Sequence, residues 1–282
     1  MKKLAVIVPT YNEFECLDKC IDSLLNQQGI DLDIFVINAG AKLPPEIQAK
    51  VKEYSVPSNY FWGACIERGF EILREEKYPF IMLMNADTTI IPGSIKHLID
   101  LAKVNEHYIA CSGVYVEEKG KLKTQYTNVQ CDRIYAWRPL RKLWDDFDCA
   151  PDEPIEIDII CGQGVLFSKV LIDQLSVDYK TFPHDKSDHD LWISAREKGY
   201  RFWIVPQSGV VHGRERNPSL WHQFTHIFYY CYLQWKLAKK HLPIHLALLS
   251  FAYYSLNRFL PDFIKHPVKK AVVKFKPDAG KY

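Results

Sequence analysis

Short apolar runs alternate along the first part of the chain with stretches whose apolar positions recur every third or fourth residue, the pattern a doubly wound α/β sheet requires. Leu4 to Val8 reads as a strand, and Glu15 to Asn26 as a helix with Cys16, Cys20, Ile21, Leu24 and Leu25 on one face. Ile34 to Ile37 is a second strand. A helix is expected around Pro45 to Tyr54 and another from Phe61 to Glu75, leading into a strand Phe80 to Met84 that ends in Asn85-Ala86-Asp87. Gly93 to Val104 then reads as a helix and Tyr108 to Val116 as a strand. Glu117 to Pro154 is polar, aromatic and weakly periodic, an irregular excursion with room for one hairpin. Ile155 to Phe167 reads as a buried strand carrying Gly162 and Gly164, Asp188 to Lys198 as a helix with an acidic first turn, and Arg201 to Val205 and Val210 to His212 as short closing strands. Beyond Gly213 the pattern is helical, broken at Pro243, Pro261 and Pro267. The predicted organisation is an α/β domain over residues 1–213 and a helical region over 214–282.

Composition adds little to this except at the C-terminal end. The chain of 282 residues is 48% hydrophobic and 25% charged, ordinary for a globular protein, while 13% aromatic is high. The formal charge of +2 conceals an asymmetry. From Lys236 onward ten Lys or Arg face only Asp262 and Asp278, which leaves the tail at +8 and everything before it at −6. Charge alone would admit nucleic acid as a partner. The basic residues are interleaved with Leu, Phe and Tyr at helical spacing, however, which suits a membrane interface better, so no nucleic acid is expected. The longest apolar stretch there, Leu246 to Leu256, is interrupted by Ser250 and falls well short of the ~20 residues that span a bilayer. Peripheral contact with the inner face of the membrane is therefore expected, with packing on the rest of the chain or a homo-oligomer interface as the competing uses of these helices. The eight cysteines show no CxxC and no paired metal-type spacing, and the apolar run Leu4 to Val8 stops at Pro9, too short for a signal-peptide core. A cytoplasmic protein with reduced thiols is expected.

Ligands of an open α/β sheet bind beyond the carboxyl ends of its strands. Three predicted strand ends carry polar groups: Pro9-Thr10-Tyr11-Asn12-Glu13, Asn38-Ala39-Gly40 and Asn85-Ala86-Asp87. No glycine-rich phosphate turn follows the first strand and no GxxxxGK[ST] occurs, so a phosphate-bearing ligand needs another source of positive charge. A divalent cation held by Asp87 would supply it, because a hard ion takes carboxylate and phosphate oxygens together.

These residues resemble the glycosyltransferases of family 2, which have the GT-A fold. Val8-Pro9-Thr10-Tyr11-Asn12-Glu13 is similar to the family's opening signature and Asn85-Ala86-Asp87 to its DxD-type motif. Asn59 to Gly69 is similar to the segment between them, and Gly162-Gln163-Gly164, Phe182-Pro183-His184 and Ser187-Asp188-His189-Asp190 to the acceptor region. The resemblance covers roughly residues 3 to 212 and rests on the order and spacing of these parts.

It implies an inverting transfer from a nucleotide diphosphate sugar to an acceptor hydroxyl in cell-surface polysaccharide or glycolipid synthesis. Asp87 and His212 would hold Mn²⁺ or Mg²⁺, with Asn85 on the ribose or in the outer shell. Pro9, Thr10, Tyr11, Glu13, Asn38 and Ala86 would line the nucleotide site, and Trp62, Gly162, Gln163, His184 and Asp190 the acceptor site. Asp188 would be the general base. Two positions depart from the family pattern: Asn38 stands where Asp is common, leaving uracil and thymine both open, and Ser187 stands where Glu is common, leaving Asp190 as a competitor for the base. UDP- and dTDP-linked donors, including dTDP-rhamnose, are the expected class, with a glycan or lipid-linked acceptor. The competing readings are a nucleotidyltransferase, which should show a glycine-rich basic loop after the first strand, and a non-catalytic sugar-nucleotide or lipid-carrier module, which Asn38 and Ser187 would suit.

Overall fold

The computed structural model describes residues 3–129, 140–183, 185–213 and 227–259. In chain order these form β1 (Leu4–Thr10), α1 (Phe14–Leu25), β2 (Leu32–Asn38), α2 (Pro45–Gln48), β3 (Lys52–Ser55), α3 (Trp62–Arg74), β4 (Phe80–Leu83), β5 (Thr88–Ile90) and α4 (Ser94–Ala102). There follow β6 (Tyr108–Glu118), β7 (Lys121–Tyr126), β8 (Asn128–Val129), β9 (Leu140–Arg141), β10 (Ile155–Ile157), β11 (Val165–Ser168), α5 (Val170–Gln174), α6 (Ser187–Glu197) and β12 (Arg201–His212). Last come α7 (Ile227–His241) and α8 (Ile244–Phe259). The chain divides into two compact units, the first carrying every described strand and the second α7 and α8.

The first unit is built on one sheet in the order β10-β12-β6-β11-β4-β1-β2-β3, with β5 on β12 and β7 on β6. β1 is buried at every position because β2 and β4 flank it in parallel, so its unbroken Leu-Ala-Val-Ile-Val run has no wet face. α3 lies on β1 and β2; the close approach needs Gly69, where a Cβ would stand 2.9 Å from the Ile7 side chain. α4 lies on β6, β11 and β12. A run of edge-to-face rings, Phe70 to Phe167 to Trp192 to Phe202 at 6.1, 6.0 and 5.6 Å between centroids, ties α3 and α6 to β11 and β12.

The α/β class and the C-terminal helices follow the expectation, while three local readings are corrected. The helix anticipated around Pro45 to Tyr54 is only Pro45–Gln48; Lys52–Ser55 instead adds a parallel edge strand to β2, where Tyr54 stacks on Phe35 at 6.1 Å. The single strand anticipated over Ile155 to Phe167 is two strands. β10 pairs antiparallel with β12, and β11 inserts antiparallel between β4 and β6 after a turn through Gly164 at φ +67°. The two closing strands are one, β12, with an irregularity between Val205 and Gly209. In the excursion, β6 and β7 form a hairpin closed by Lys119-Gly120, both at positive φ as a two-residue turn between twisted strands demands.

In the second unit α7 and α8 pack on each other across a turn at Leu242-Pro243, with Trp235 edge-on to Phe251 at 5.6 Å. Leu233, Leu237 and Ala247 are buried, whereas Phe228, Tyr232, Ile244, Leu248 and Leu249 are exposed. Among the described residues no helix is long and apolar enough to cross a membrane. The tail's basic residues beyond Phe259 and the aromatic Trp221 lie outside the described residues.

Candidate active site

The carboxyl ends of β1, β2 and β4 lie together because all three run parallel, with Thr10 paired to Asn38 in register. Pro9, Thr10 and Asn38 are thus placed at one edge of the site by the strands themselves. The chain then leaves β1 through Tyr11, exposed, and Asn12 at φ +56°. Asn12 Oδ1 accepts from Ala41 N at 2.8 Å, and a Cβ on Gly40 would lie 2.5 Å from that same oxygen, so the two loops close only over a glycine. Glu13 stands at the N-cap of α1, half-buried. The Thr10 hydroxyl is buried without a hydrogen-bond partner.

Asn38 is 1% exposed and already engaged: its Nδ2 donates to Ala41 O and to Glu53 Oε1, each at 2.8 Å, and its Oδ1 accepts from Gly40 N at 2.9 Å. With both amide hydrogens committed, Asn38 has one acceptor lone pair to offer. A base would meet it only as a donor, which an N3–H of uracil or thymine supplies. Glu53, which holds this amide in place, was not singled out in the sequence because its strand was read as helix.

Beyond β4, the Asn85 carbonyl accepts from Thr88 N at 3.2 Å and Thr88 Oγ1 at 2.8 Å, forming a tight turn that buries Ala86 and feeds β5. β5 pairs with the end of β12, Thr88 opposite His212, and Gly213 N donates to Asp87 O at 3.0 Å. That pairing brings Asp87 Oδ2 to 3.5 Å from His212 Nε2, with side chains only 7% and 13% exposed. Among the described residues no third His, Cys, Asp or Glu joins them as a metal cluster. The Cys20 thiol beside the turn donates to Asn85 O at 3.5 Å; burial, and secondarily the Asp87 charge, push it up to about 12, so it is an inert thiol.

On the other side of β4, the Trp62 indole Nε1–H donates to Asn85 Oδ1 at 3.0 Å, Asn85 Nδ2 donates to Gln163 Oε1 at 2.9 Å, and Gln163 Nε2 donates to the buried Tyr126 Oη at 2.9 Å. The indole covers Gly162, where a Cβ would lie 2.3 Å from Trp62 Cζ2. Trp62, Gly162 and Gln163 are therefore brought into contact with one another and with Asn85. Tyr126, the fourth member of the chain, was missed because it lies in the weakly periodic excursion.

Asp188 lies in the first turn of α6, which Lys186 caps at φ +72°. Its side chain is 22% exposed and its Oδ1 lies 2.8 Å from both His189 N and His189 Nδ1. Burial works to raise this carboxyl, but the His189 charge and hydrogen bonds, helped by Lys186, outweigh it and hold the group at about 2. The Asp188 charge in turn reaches Tyr126 and Cys161, both already raised by burial. Asp190 is 1% exposed, so of the two acidic residues only Asp188 is presented outward. Ser187 is buried where α6 meets α3; a Cβ on Gly63 would stand 2.8 Å from Ser187 Cβ. His184 lies outside the described residues.

A family model described as "Glycosyl transferase family 2" matches residues 5–175, more than half of the chain. The chain belongs to glycosyl transferase family 2. Over its whole length this family 2 chain is 21% identical to a poly(ribitol-phosphate) beta-N-acetylglucosaminyltransferase of Staphylococcus aureus, covering 78% of that protein. It is 29% identical, over 45% of the chain and 43% of the relative, to a GalNAc(5)-diNAcBac-PP-undecaprenol beta-1,3-glucosyltransferase of Campylobacter jejuni. The chain spans between 27% and 78% of the length of the curated relatives it matches. In structure it is similar to GalNAc-T7, crystallised with UDP, GalNAc and Mn²⁺, at a TM-score of 0.60 and 13% identity over 94% of this chain and 58% of that one. The GT-A fold expected from the strand-end motifs is the fold of this family 2 chain.

Proposed function

We propose that this protein is an inverting glycosyltransferase that takes a sugar from a UDP- or dTDP-linked donor and places it on a hydroxyl of a glycan or lipid-linked acceptor in cell-surface polysaccharide or glycolipid synthesis. The observation that carries the reading is that a hydrogen-bonded chain runs from Asn85, in the strand-end turn of Asp87, through Gln163 to Tyr126, which lies within reach of the Asp188 charge. This supports placing the donor-side and acceptor-side groups in one site.

Asp87 and His212 fit a divalent cation: a hard carboxylate oxygen and an imidazole nitrogen 3.5 Å apart, both mostly shielded from water, where β5 begins and β12 ends. Mn²⁺ or Mg²⁺ bound there would offset the charge of the diphosphate as it departs. Thr10 and Asn38 bracket the nucleoside, with the unpartnered Thr10 hydroxyl and the remaining Asn38 lone pair as the free polar groups. Tyr11 offers an exposed ring to the base.

Asp188 takes the proton of the acceptor hydroxyl as that oxygen bonds to the anomeric carbon, while the bond from that carbon to the diphosphate breaks and its electron pair leaves with the nucleotide. A single displacement inverts the centre. A carboxylate held near 2 is ionised at every working pH yet is a weak base toward a free alcohol. The proton transfer therefore belongs to the transition state, when bond formation has acidified the attacking oxygen.

The exposed Phe228, Tyr229, Tyr232, Ile244, Leu248 and Leu249, with Lys236, Lys239 and Lys240 nearby in sequence, support peripheral contact of α7 and α8 with an anionic lipid surface. Such contact would bring the enzyme to an acceptor carried on lipid, the kind the Campylobacter relative's name specifies.

The test is a thermal-shift screen of UDP- and dTDP-sugars with Mn²⁺ or Mg²⁺, followed by donor consumption. Binding at a hundred times Kd stabilises by about 2.7 kcal/mol. Asp87→Ala should abolish, and His212→Ala weaken, the metal's contribution. Full turnover by the wild type in excess chelator refutes the metal role, and binding without turnover toward any acceptor turns the reading into a sugar-nucleotide module.

A further inference from the structure

The strand-end triplet Asn85-Ala86-Asp87 invites the reading that both polar residues serve the donor, yet the Asn85 side chain turns the other way. In the sheet, β4 separates β1 and β2, which carry Thr10 and Asn38, from β11, which Gln163 precedes. The Asn85 amide bonds toward the β11 side, to Gln163, and to Trp62 at the head of α3.

The polarity of the chain is set by its first member. An indole N–H can only donate, so the Asn85 atom facing it is the carbonyl oxygen and the amide nitrogen faces Gln163. Gln163 must then accept through Oε1 and donate through Nε2, and Tyr126 must accept at Oη. The Tyr126 hydroxyl thereby keeps its own proton as a donor. Donors and acceptors match along the chain in only one orientation of each amide, so the four side chains are fixed as a unit. Trp62 is held from two sides, by Asn85 at its nitrogen and by Gly162 beneath its six-membered ring.

We propose that Asn85 is a positioning residue for the acceptor, locking the part-exposed Trp62 indole, with the buried Gln163 amide behind it, as a rigid wall against which an acceptor sugar ring is seated, and that it makes no contact with the nucleotide. The inference rests on the glycosyl-transfer reading above. Asp87 then carries the donor function of the triplet, and the two ends of one tight turn serve opposite substrates.

The experiment titrates the full-length protein with UDP and with dTDP, each with Mn²⁺, for the wild type, Asn85→Ala and Trp62→Phe. It also follows hydrogen exchange at the Trp62 indole N–H by NMR. Both variants should bind the preferred nucleotide within about twofold of the wild type, the indole N–H should be protected in the wild type and lose that protection in Asn85→Ala. With the acceptor the wild type uses, each variant should raise the acceptor KM about tenfold, the effect of one unmade buried hydrogen bond. The double variant should raise it little further, because either change already frees the wall. If Asn85→Ala does not fold, Trp62→Phe, which keeps a ring but no N–H, carries the test. A tenfold or greater loss of nucleotide affinity in either variant, or an indole N–H that exchanges freely in the wild type, overturns the proposal. A wild type that binds neither nucleotide instead refutes the glycosyl-transfer reading, and this inference with it.

Discussion

An alanine at position 162 would set its Cβ 2.3 Å from Trp62 Cζ2 and 2.6 Å from Cη2, contacts no real pair of carbons makes. The ring cannot yield freely, because its Nε1–H is bonded to Asn85 Oδ1 at 3.0 Å and Asn85 is itself tied to Gln163. Either the indole swings off and that bond opens, or the 161–164 loop shifts and pulls Gln163 from Tyr126. Overpacking of this kind costs roughly 1–3 kcal/mol, which lowers Tm by roughly 2–12 °C at about 2–4 °C per kcal/mol. Thermal unfolding of Gly162→Ala reads the cost, and transfer kinetics read the displaced wall as a raised acceptor KM with nucleotide affinity kept. Trp62→Leu deletes the offending atoms, so Gly162→Ala in that background should cost clearly less than in the wild type. Gly162 is not at positive φ, so its cost is contact and not backbone strain; Gly29→Ala, at φ +69° with nothing within 4 Å of an added Cβ, gives the opposite case for comparison, strain without contact. If Gly162→Ala is as stable and as active as the wild type, Trp62 does not lie over Gly162 and the argument for a rigid acceptor wall fails.

Asp188→Asn keeps shape and hydrogen bonding but cannot take a proton; transfer should fall by ~10²-fold or more with nucleotide affinity unchanged, and an active variant would point to another base. Asp190→Asn, changing a group that is 1% exposed, should act on stability instead, by about 1–3 kcal/mol, measured by denaturant unfolding. Because the folded-state value of Asp188 is lowered from 3.8 to about 2, its ionised form contributes stability that is fully present above about pH 4 and is lost as pH falls through about 2. The stability advantage of the wild type over Asp188→Asn, about 2 kcal/mol at neutral pH, should shrink across that window, and an advantage that stays flat refutes the His189 interaction. The full chain should sediment with anionic vesicles at low salt and be released as salt is raised; a chain that stays in the supernatant makes α7 and α8 a packing or association element.

Much of the fold is legible from local pattern, because an apolar run with no wet face and an apolar stripe at helical spacing each have one economical structure. β1, β4 and α3 follow from that, and so do the polar strand ends that locate the site. Lys52–Ser55 did not, since a short alternating segment becomes a strand only when an edge such as β2 is there to receive it. Nor did β11, whose direction depends on the turn at Gly164 and on a gap between β4 and β6 that no local signal announces. The same division runs through the site. The residue types at Asp87, His212 and Asp188 point to their chemistry in the sequence, because few side chains can hold a cation or accept a proton. Which neighbour each one faces was decided only by tertiary structure: β5–β12 pairing sets His212 beside Asp87, packing covers Asp190 while Asp188 stays part-exposed, and Glu53 fixes the Asn38 amide. The chain Trp62-Asn85-Gln163-Tyr126 joins residues up to 78 positions apart from one hydrogen bond to the next. Local sequence sets which bonds a side chain is able to make, and the packing of distant strands selects the one it makes.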